Sequence, residues 1–327
     1  MNPTISVIIP VFNAEPYLAR CLESVIRQSH SELDIIVIDD GSTDGSLSLL
    51  HQFEKLDSRV RVLTQANRGV SAARNAGLAV ASSDLVTFVD ADDWLEPTAY
   101  KRLVEALQRH NLNYVTCGYF VDSKDSSQRG PTLGQFARVL DTREGLQAIL
   151  ATQNRFVFTR LFRRELIGST RFRDNLHWGE DTVFVVEVAK KASTTSVVDQ
   201  PLYHYWQSPE SATRSTTNPK RMSGPRMTEV LEELVAQDYP ELVDLVRQTR
   251  IDIYAILIKD ALMDPNPGSA HLLKEHTTAV RKNLRAVLLS RTVSTRSKIK
   301  ALLLAIAPRT YTKAHHKFRA LGAFDGQ

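Results

Sequence analysis

The chain is predicted to form an α/β fold, a mostly parallel sheet flanked by helices and followed by a helical C-terminal extension. Three observations carry that expectation. Short β-branched runs alternate with segments of helical periodicity from Ile5 to Val89. The polar segments Pro10-Val11-Phe12-Asn13, Asp39-Asp40-Gly41-Ser42-Thr43-Asp44 and Asp90-Ala91-Asp92-Asp93 each follow such a run, at the strand ends where parallel sheets gather their ligands. After Pro219 the pattern turns helical, with Tyr254, Leu257, Ile258 and Leu262 on one stripe.

Taken in order, Ile5 to Ile9 reads as a buried strand, and Pro16 opens a helix whose Leu18, Cys21, Leu22, Val25 and Ile26 share a face. Ile35 to Ile38 and Val60 to Leu63 are the next strands, with Asp44 placed to cap the helix between them. A helix over Ser71 to Val80 takes Ser71 as its cap and presents Arg74 and Asn75 near its start. Two readings of Arg74 stand: a guanidinium facing an anion together with the helix amino end, and a solvated surface arginine. Leu85 to Val89 is a strand that runs into Asp90. The expected organisation is a catalytic part over residues 1–215, divided into 1–118 and 119–215, and a helical region over 216–327 broken by Asp264-Pro265-Asn266-Pro267-Gly268.

With 327 residues and 43% hydrophobic content, the chain can bury a substantial core, which excludes a disordered protein. Cys21 and Cys117 match no metal spacing, so buried, reduced thiols in a cytosolic compartment are expected. No basic leader precedes an apolar stretch, Pro10 interrupts the early apolar run, and no segment is long enough to span a membrane. The net charge of +4 is uneven, with Arg291, Arg296, Lys298, Lys300, Arg309, Lys313, Lys317 and Arg319 near the end.

Along an extended segment Asp90 and Asp92 would point to one side, where they repel unless a cation compensates. Oxygen ligands favour Mg²⁺ or Mn²⁺, and Mg²⁺ is usually held by one or two carboxylates plus substrate phosphates, so the cluster suggests a nucleoside diphosphate site. The competing reading is a polar turn with Asp93 capping the helix after Glu96-Pro97. Asp39 to Gly45 resembles half of a calcium loop, but His51 stands where a bidentate glutamate is required. A nucleobase site fits better, with Asp40 accepting a hydrogen bond from a uracil imide N–H. Gly69-Val70-Ser71-Ala72-Ala73 lacks the last glycine of a nucleophile elbow. In His177-Trp178-Gly179-Glu180-Asp181, helix capping explains one acid. Two acids beside an exposed tryptophan suggest a sugar-stacking surface with a general base.

Together these segments resemble glycosyltransferase family 2, whose catalytic domain has the GT-A fold, a nucleotide-binding α/β sheet with an Asp-x-Asp metal motif. The resemblance covers about Thr4 to Arg214 and rests on Ser6-Val7-Ile8-Ile9-Pro10-Val11-Phe12-Asn13, Ile38 to Asp44, Asn67 to Asn75, Asp90 to Trp94, and Gly179-Glu180-Asp181, in that order. It implies that Pro10, Val11, Asn13, Asp40, Asn67 and Arg74 surround a uridine, with Asp90 and Ala91 at the nucleotide sugar. It further implies Asp92 as ligand to Mn²⁺ or Mg²⁺ on the donor diphosphate, Asp181 as catalytic base, and Trp178 and Glu180 on the acceptor side. The implied reaction is an inverting transfer from a UDP-sugar to a glycan hydroxyl.

One departure stands out. Similar proteins often continue the Tyr-x-Tyr strand into arginines that grip the diphosphate, whereas Tyr203-His204-Tyr205 leads here to Trp206, Gln207 and Ser208. Arg214 is a substitute for that charge, and His204 is either near the metal or an interior histidine. Lys298 to Ala307 has the composition of a helix on an anionic membrane, and equally of a helix packed on the catalytic domain with a solvated basic face. A nucleic-acid partner is not expected. The expected location is cytoplasmic or peripheral on the inner face of the membrane, with a lipid-linked oligosaccharide of cell-surface polysaccharide synthesis as acceptor. The competing classes are a nucleotidyltransferase, which would want a glycine-rich, lysine-bearing loop after the first strand, and a non-catalytic nucleotide-sugar-binding protein.

Overall fold

The structure, a computed structural model, describes residues 2–130, 138–152, 154–207, 219–264, 266 and 268–312. Ser208, Arg214, Lys313, Lys317, Arg319 and the Pro265 and Pro267 of the predicted break lie outside the described residues. The chain forms two compact units: Met1–Asp174 with Glu180–Ser208, and Asn175–Gly179 with Pro209–Gln327.

The first unit opens with β1 (Ile5–Val11), α1 (Glu15–Ile26), β2 (Leu33–Asp39), α2 (Ser46–Leu56), β3 (Val60–Thr64), α3 (Val70–Val80) and β4 (Leu85–Phe88). β1 pairs in parallel with β2 and β4, and β2 with β3. Every residue of β1 is buried, as expected of a strand covered on both faces, which therefore reads as a continuous apolar run. α1 begins with Glu15 and Pro16 and buries Leu18, Cys21, Leu22 and Val25, the predicted stripe. The core beneath it joins Ile5, Val7 and Ile9 to Leu18, Leu22, Ile35 and Val37.

Next come β5 (Trp94–Leu95), α4 (Ala99–Arg109), β6 (Tyr114–Ser123), β7 (Ser126–Arg129), α5 (Thr142–Ala151), β8 (Arg160–Arg163), α6 (Arg164–Ile167), α7 (Glu180–Ala189) and β9 (Thr195–Trp206). The sheet order is β3-β2-β1-β4-β8-β6-β9-β5, with β7 on β6. The parallel expectation holds over β1 to β4. Beyond them β8 joins β4 and β6 antiparallel, β6 and β9 run parallel, and β5 joins β9 antiparallel. The path from β4 through the Asp90 turn to β5, which pairs with β9, brings Trp94 opposite His204.

The second unit holds α8 (Gly224–Ala236), α9 (Val243–Met263), α10 (Ser269–Leu289) and α11 (Thr295–Ile306). The predicted stripe on α9 is confirmed for Tyr254, Leu257 and Ile258, which are buried. α11 packs on α9 and α10 through Ala301, Leu304 and Ala305, so its buried face lies inside the helical unit. Among the described residues no helix is long and apolar enough to cross a membrane.

Candidate active site

β1 and β2 end side by side, and the loops that follow them are tied together. Asn13, with φ of 49°, accepts at Oδ1 from the Thr43 N–H at 2.8 Å, and its own N–H donates to Ser42 Oγ at 3.1 Å. Asp44 accepts from the Ser46 N–H at 3.0 Å, the expected start of α2. Gly41, with φ of 76°, lies where a Cβ would meet the Asn67 backbone nitrogen at 2.9 Å, so only glycine lets the two loops approach. Asp40 is buried and already engaged: Oδ1 accepts from Gln65 Nε2 at 2.7 Å and the Arg68 N–H at 2.9 Å, and Oδ2 from the Gly69 N–H at 2.7 Å. It clamps the loop that leads into α3 and leaves Asn67 exposed, while Pro10 and Val11 sit buried at the end of β1.

α3 starts at Val70 after Gly69. Ser71 is therefore no cap: its Oγ is buried and without a partner. Asn75 does not face an anion either, since its side chain exchanges two hydrogen bonds, both 2.8 Å, with the Phe172 backbone. Arg74 is not the solvated surface arginine, and the anions its guanidinium faces are the protein's own carboxylates. It is 3% exposed, with Nη2 on Asp90 Oδ1 at 2.7 Å and Nη1 on Asp181 Oδ1 at 2.5 Å and Glu180 Oε1 at 3.3 Å. Burial opposes its charge, but Asp181, Asp90 and Glu180 outweigh burial and raise its pKa. Three carboxylates from two distant segments thus converge on one guanidinium.

Asp181 sits in the first turn of α7 with Glu180, where the helix dipole favours negative charge. Its Oδ2 accepts from the Val157 N–H at 3.2 Å. Burial raises its carboxyl to about 7; Arg74 pulls it down, and Glu180 and Asp90 push it up. A base poised there works at neutral pH.

The strand-alternation argument for Asp90 and Asp92 does not hold. β4 stops at Phe88, and the Asp93 N–H donates to the Asp90 carbonyl at 3.1 Å in a turn. The three carboxylates consequently diverge. Asp90 goes to Arg74. Asp93 caps no helix; fully buried, it accepts from Tyr203 Oη at 2.6 Å and the Trp206 N–H at 2.7 Å, while Tyr203 Oη accepts from the Asp90 N–H at 3.1 Å. Burial, then Asp92 and Asp90, push the Asp93 pKa well up. Asp92 is half-buried next to Ala91, and burial and the Asp90 charge raise it to about 6. Among the described residues no side chain or ion pair engages the Asp92 carboxylate, and no group of three or more His, Cys, Asp or Glu is arranged to hold a metal. A carboxylate held only by a backbone N–H and the more distant Arg20 charge fits Mg²⁺ or Mn²⁺, and diphosphate oxygens and water would supply the remaining ligands.

A stack of rings supports this turn. Arg20 donates from Nη2 to the Asp92 carbonyl at 2.9 Å and lies 3.6 Å over the Trp94 ring. Trp94 stacks on His204 at 4.7 Å, and His204 on Phe120 at 4.7 Å. Both His204 ring nitrogens are occupied, Nδ1 by Asp122 and Nε2 by Glu96, each at 2.9 Å, so His204 is the interior, hydrogen-bonded histidine. Arg20 and Asp122 carry no sequence signal, and Tyr203 is marked only as part of the Tyr-x-Tyr strand, because tertiary contacts alone bring these side chains to the turn.

In the second unit the N–H groups of His177 and Trp178 donate to Ser223 Oγ at 3.2 and 2.9 Å. A Cβ on Gly224 would meet the Trp178 ring at 2.8 Å. The indole is therefore half-buried against α8 rather than exposed, and Trp178 belongs to the second unit while Glu180 belongs to the first.

A mixed sheet whose parallel half ends in a clamped loop pair, an acidic turn and a buried carboxylate cluster defines the GT-A class of nucleotide-sugar folds. The fold matches the crystal structure of residues 1–349 of S. aureus TarS in complex with UDP, with a TM-score of 0.66, 19% identity, and 96% of this chain and 91% of that chain covered. It also matches the Pyrobaculum calidifontis mannosyltransferase PcManGT in complex with GDP-Man and Mn²⁺, with a TM-score of 0.52, 16% identity, and 94% and 88% covered. The family model for glycosyl transferase family 2 matches residues 6–170, and the chain belongs to that family. The uncharacterized glycosyltransferase EpsJ of Bacillus subtilis strain 168 is 33% identical over 225 residues, which span 67% of this chain and 65% of that protein.

Proposed function

We propose that the chain is an inverting, metal-dependent glycosyltransferase that moves a sugar from a UDP-sugar to a hydroxyl of a glycan acceptor, with residues 1–215 as its catalytic part. The observation that carries this reading is the Arg74 cluster, which holds a carboxylate titrating near neutrality, Asp181, with the Asp90 end of the acidic turn. The arrangement suits an acceptor hydroxyl and a leaving diphosphate in one reaction. TarS has been crystallised with UDP and with UDP-GlcNAc, which favours uridine for a chain of the same fold.

Asp181 keeps unused lone pairs on both oxygens although Arg74 and the Val157 N–H each hold one side. It removes the proton of the acceptor hydroxyl as that oxygen attacks the anomeric carbon, and the bond to the UDP oxygen breaks on the opposite face. Arg74 orients this base through its pair with Asp181. Asp92 is the protein ligand to the divalent ion, which supplies Lewis-acid stabilisation of charge on the departing diphosphate. Asn13, Asp40 and Asn67 shape the uridine pocket with Pro10 and Val11, Asp40 by fixing the 65–69 loop. The acceptor side includes Glu180. A lipid-linked oligosaccharide of cell-surface polysaccharide synthesis, met at the cytoplasmic face of the membrane, is the acceptor we favour.

A nucleotidyltransferase is disfavoured because Pro10 to Asn13 forms no glycine-rich, lysine-bearing loop. The deciding experiment is a panel of UDP-sugars assayed for UDP release with Mn²⁺ or Mg²⁺, with and without glycan acceptors. Acceptor-dependent UDP release is expected. Binding without turnover across the panel, or release of pyrophosphate, would overturn the reading.

A further inference from the structure

α11 presents two apolar faces, and among the described residues only one is packed. Ser297, Ala301, Leu304 and Ala305 are buried in the helical unit. At 100° per residue, Ile299, Leu302, Leu303 and Ile306 form a narrow stripe on the opposite side, and they are 54%, 39%, 39% and 69% exposed. On α10, Leu289 is also exposed, at 70%. A row of outward leucines and isoleucines on a terminal helix is more than the scattered surface apolar residues of a soluble unit.

Charge says what covers it. On the same helical projection Lys298 lies to one side of the stripe, and Arg296 and Lys300 to the other. Lys300 is paired with Asp252 at 2.6 Å, whereas Lys298 donates to a neutral carbonyl. Over residues 269–312 there are nine lysines and arginines against one acid, Glu275. Such an excess of positive charge repels a second copy of the same face and attracts a dense anionic surface. An apolar stripe between basic flanks, lying along a helix axis, is the pattern of a helix in the plane of a bilayer interface.

We propose that the outward face of α11 seats this chain on an anionic lipid surface, with Ile299, Leu302, Leu303 and Ile306 in the acyl boundary and the basic flanks among lipid phosphates. The proposal goes beyond the transfer reaction and needs neither donor nor acceptor. It is tested with the full chain and vesicles of phosphatidylcholine alone or mixed equally with phosphatidylglycerol. Co-sedimentation with the mixed vesicles is expected, falling as salt is raised, with little binding to phosphatidylcholine alone. The triple variant Leu302→Gln/Leu303→Gln/Ile306→Gln, altered only at exposed positions, should keep its thermal unfolding profile and lose about a hundredfold or more in lipid partitioning. Lys298→Gln should lose about fivefold. A full chain that stays in the supernatant with anionic vesicles, or a triple variant that sediments like the wild type, would overturn the proposal. So would a dimer in lipid-free light scattering that the triple variant abolishes, because the stripe would then be a self-association face. UDP release with a soluble acceptor is read separately, so failure of either reading leaves the other standing.

Discussion

Replacing Arg74 by methionine is the sharpest test of the buried cluster. The substitution keeps most of the side-chain volume and removes the cation that Asp90, Glu180 and Asp181 share. Breaking a buried ion pair from one side costs about 3–5 kcal/mol, since the remaining charge is left without compensation. That loss is expected at pH 8, where Asp181 is ionised in the native chain. The sign of the pH dependence follows from its titration. Its native pKa is raised to about 7, and without Arg74 it rises further, so between pH 8 and pH 7 the variant binds the proton that the wild type has released. Between pH 8 and pH 6, over which the wild-type carboxyl regains its proton, the stability gap should narrow by about 1.4 kcal/mol as pH falls. Urea denaturation of both proteins at pH 8 and pH 6 measures it. Calorimetry with UDP then separates two roles. A residue that only positions the base leaves UDP affinity near wild type while transfer falls by about 10² or more. A stability loss equal at both pH values, or a tenfold loss of UDP affinity, would refute the argument that Arg74 acts through the carboxylates.

Three further outcomes follow from the same geometry. Asp181→Asn should bind UDP normally and lose about 10² to 10⁴ in transfer rate, and wild-type kcat/KM should rise with pH through about 7 as the Asp181 carboxyl ionises; a flat acid limb down to pH 5 would exclude it as the base. Asp92→Ala should abolish Mn²⁺ binding followed by electron paramagnetic resonance in the presence of UDP, and unaltered binding would reassign the ligand. Tyr203→Phe removes the hydroxyl that donates to Asp93 and accepts from the Asp90 N–H; it should cost about 1.5–3 kcal/mol in urea denaturation, and no measurable loss would mean that Asp93 does not anchor β9.

Much of the site was legible because it is written in contiguous segments. The Asp90 to Asp93 turn, the Asp39 to Asp44 loop and Glu180-Asp181 each follow or begin an element whose periodicity marks it. What misled was assigning local roles from local pattern. Ser71 looks like a cap, but Gly69 already turns the chain into α3. Asp93 looks like a cap, but the β5–β9 pairing delivers Tyr203 and Trp206 to it.

The amino-acid order by itself settles the first four strands, the α1 stripe and the presence of acidic and amide-rich loops at strand ends, because burial periodicity and turn chemistry are properties of a few consecutive residues. Only the tertiary structure decides which charge meets which. Arg74 and Asp181 are 107 residues apart, and nothing short of packing α3 beside α7 brings a guanidinium to a carboxylate at that separation. The same holds for α11, whose composition permits either face to be buried. Its packing on α9 and α10 selects Ala301, Leu304 and Ala305 for the interior and leaves Ile299, Leu302, Leu303 and Ile306 outside.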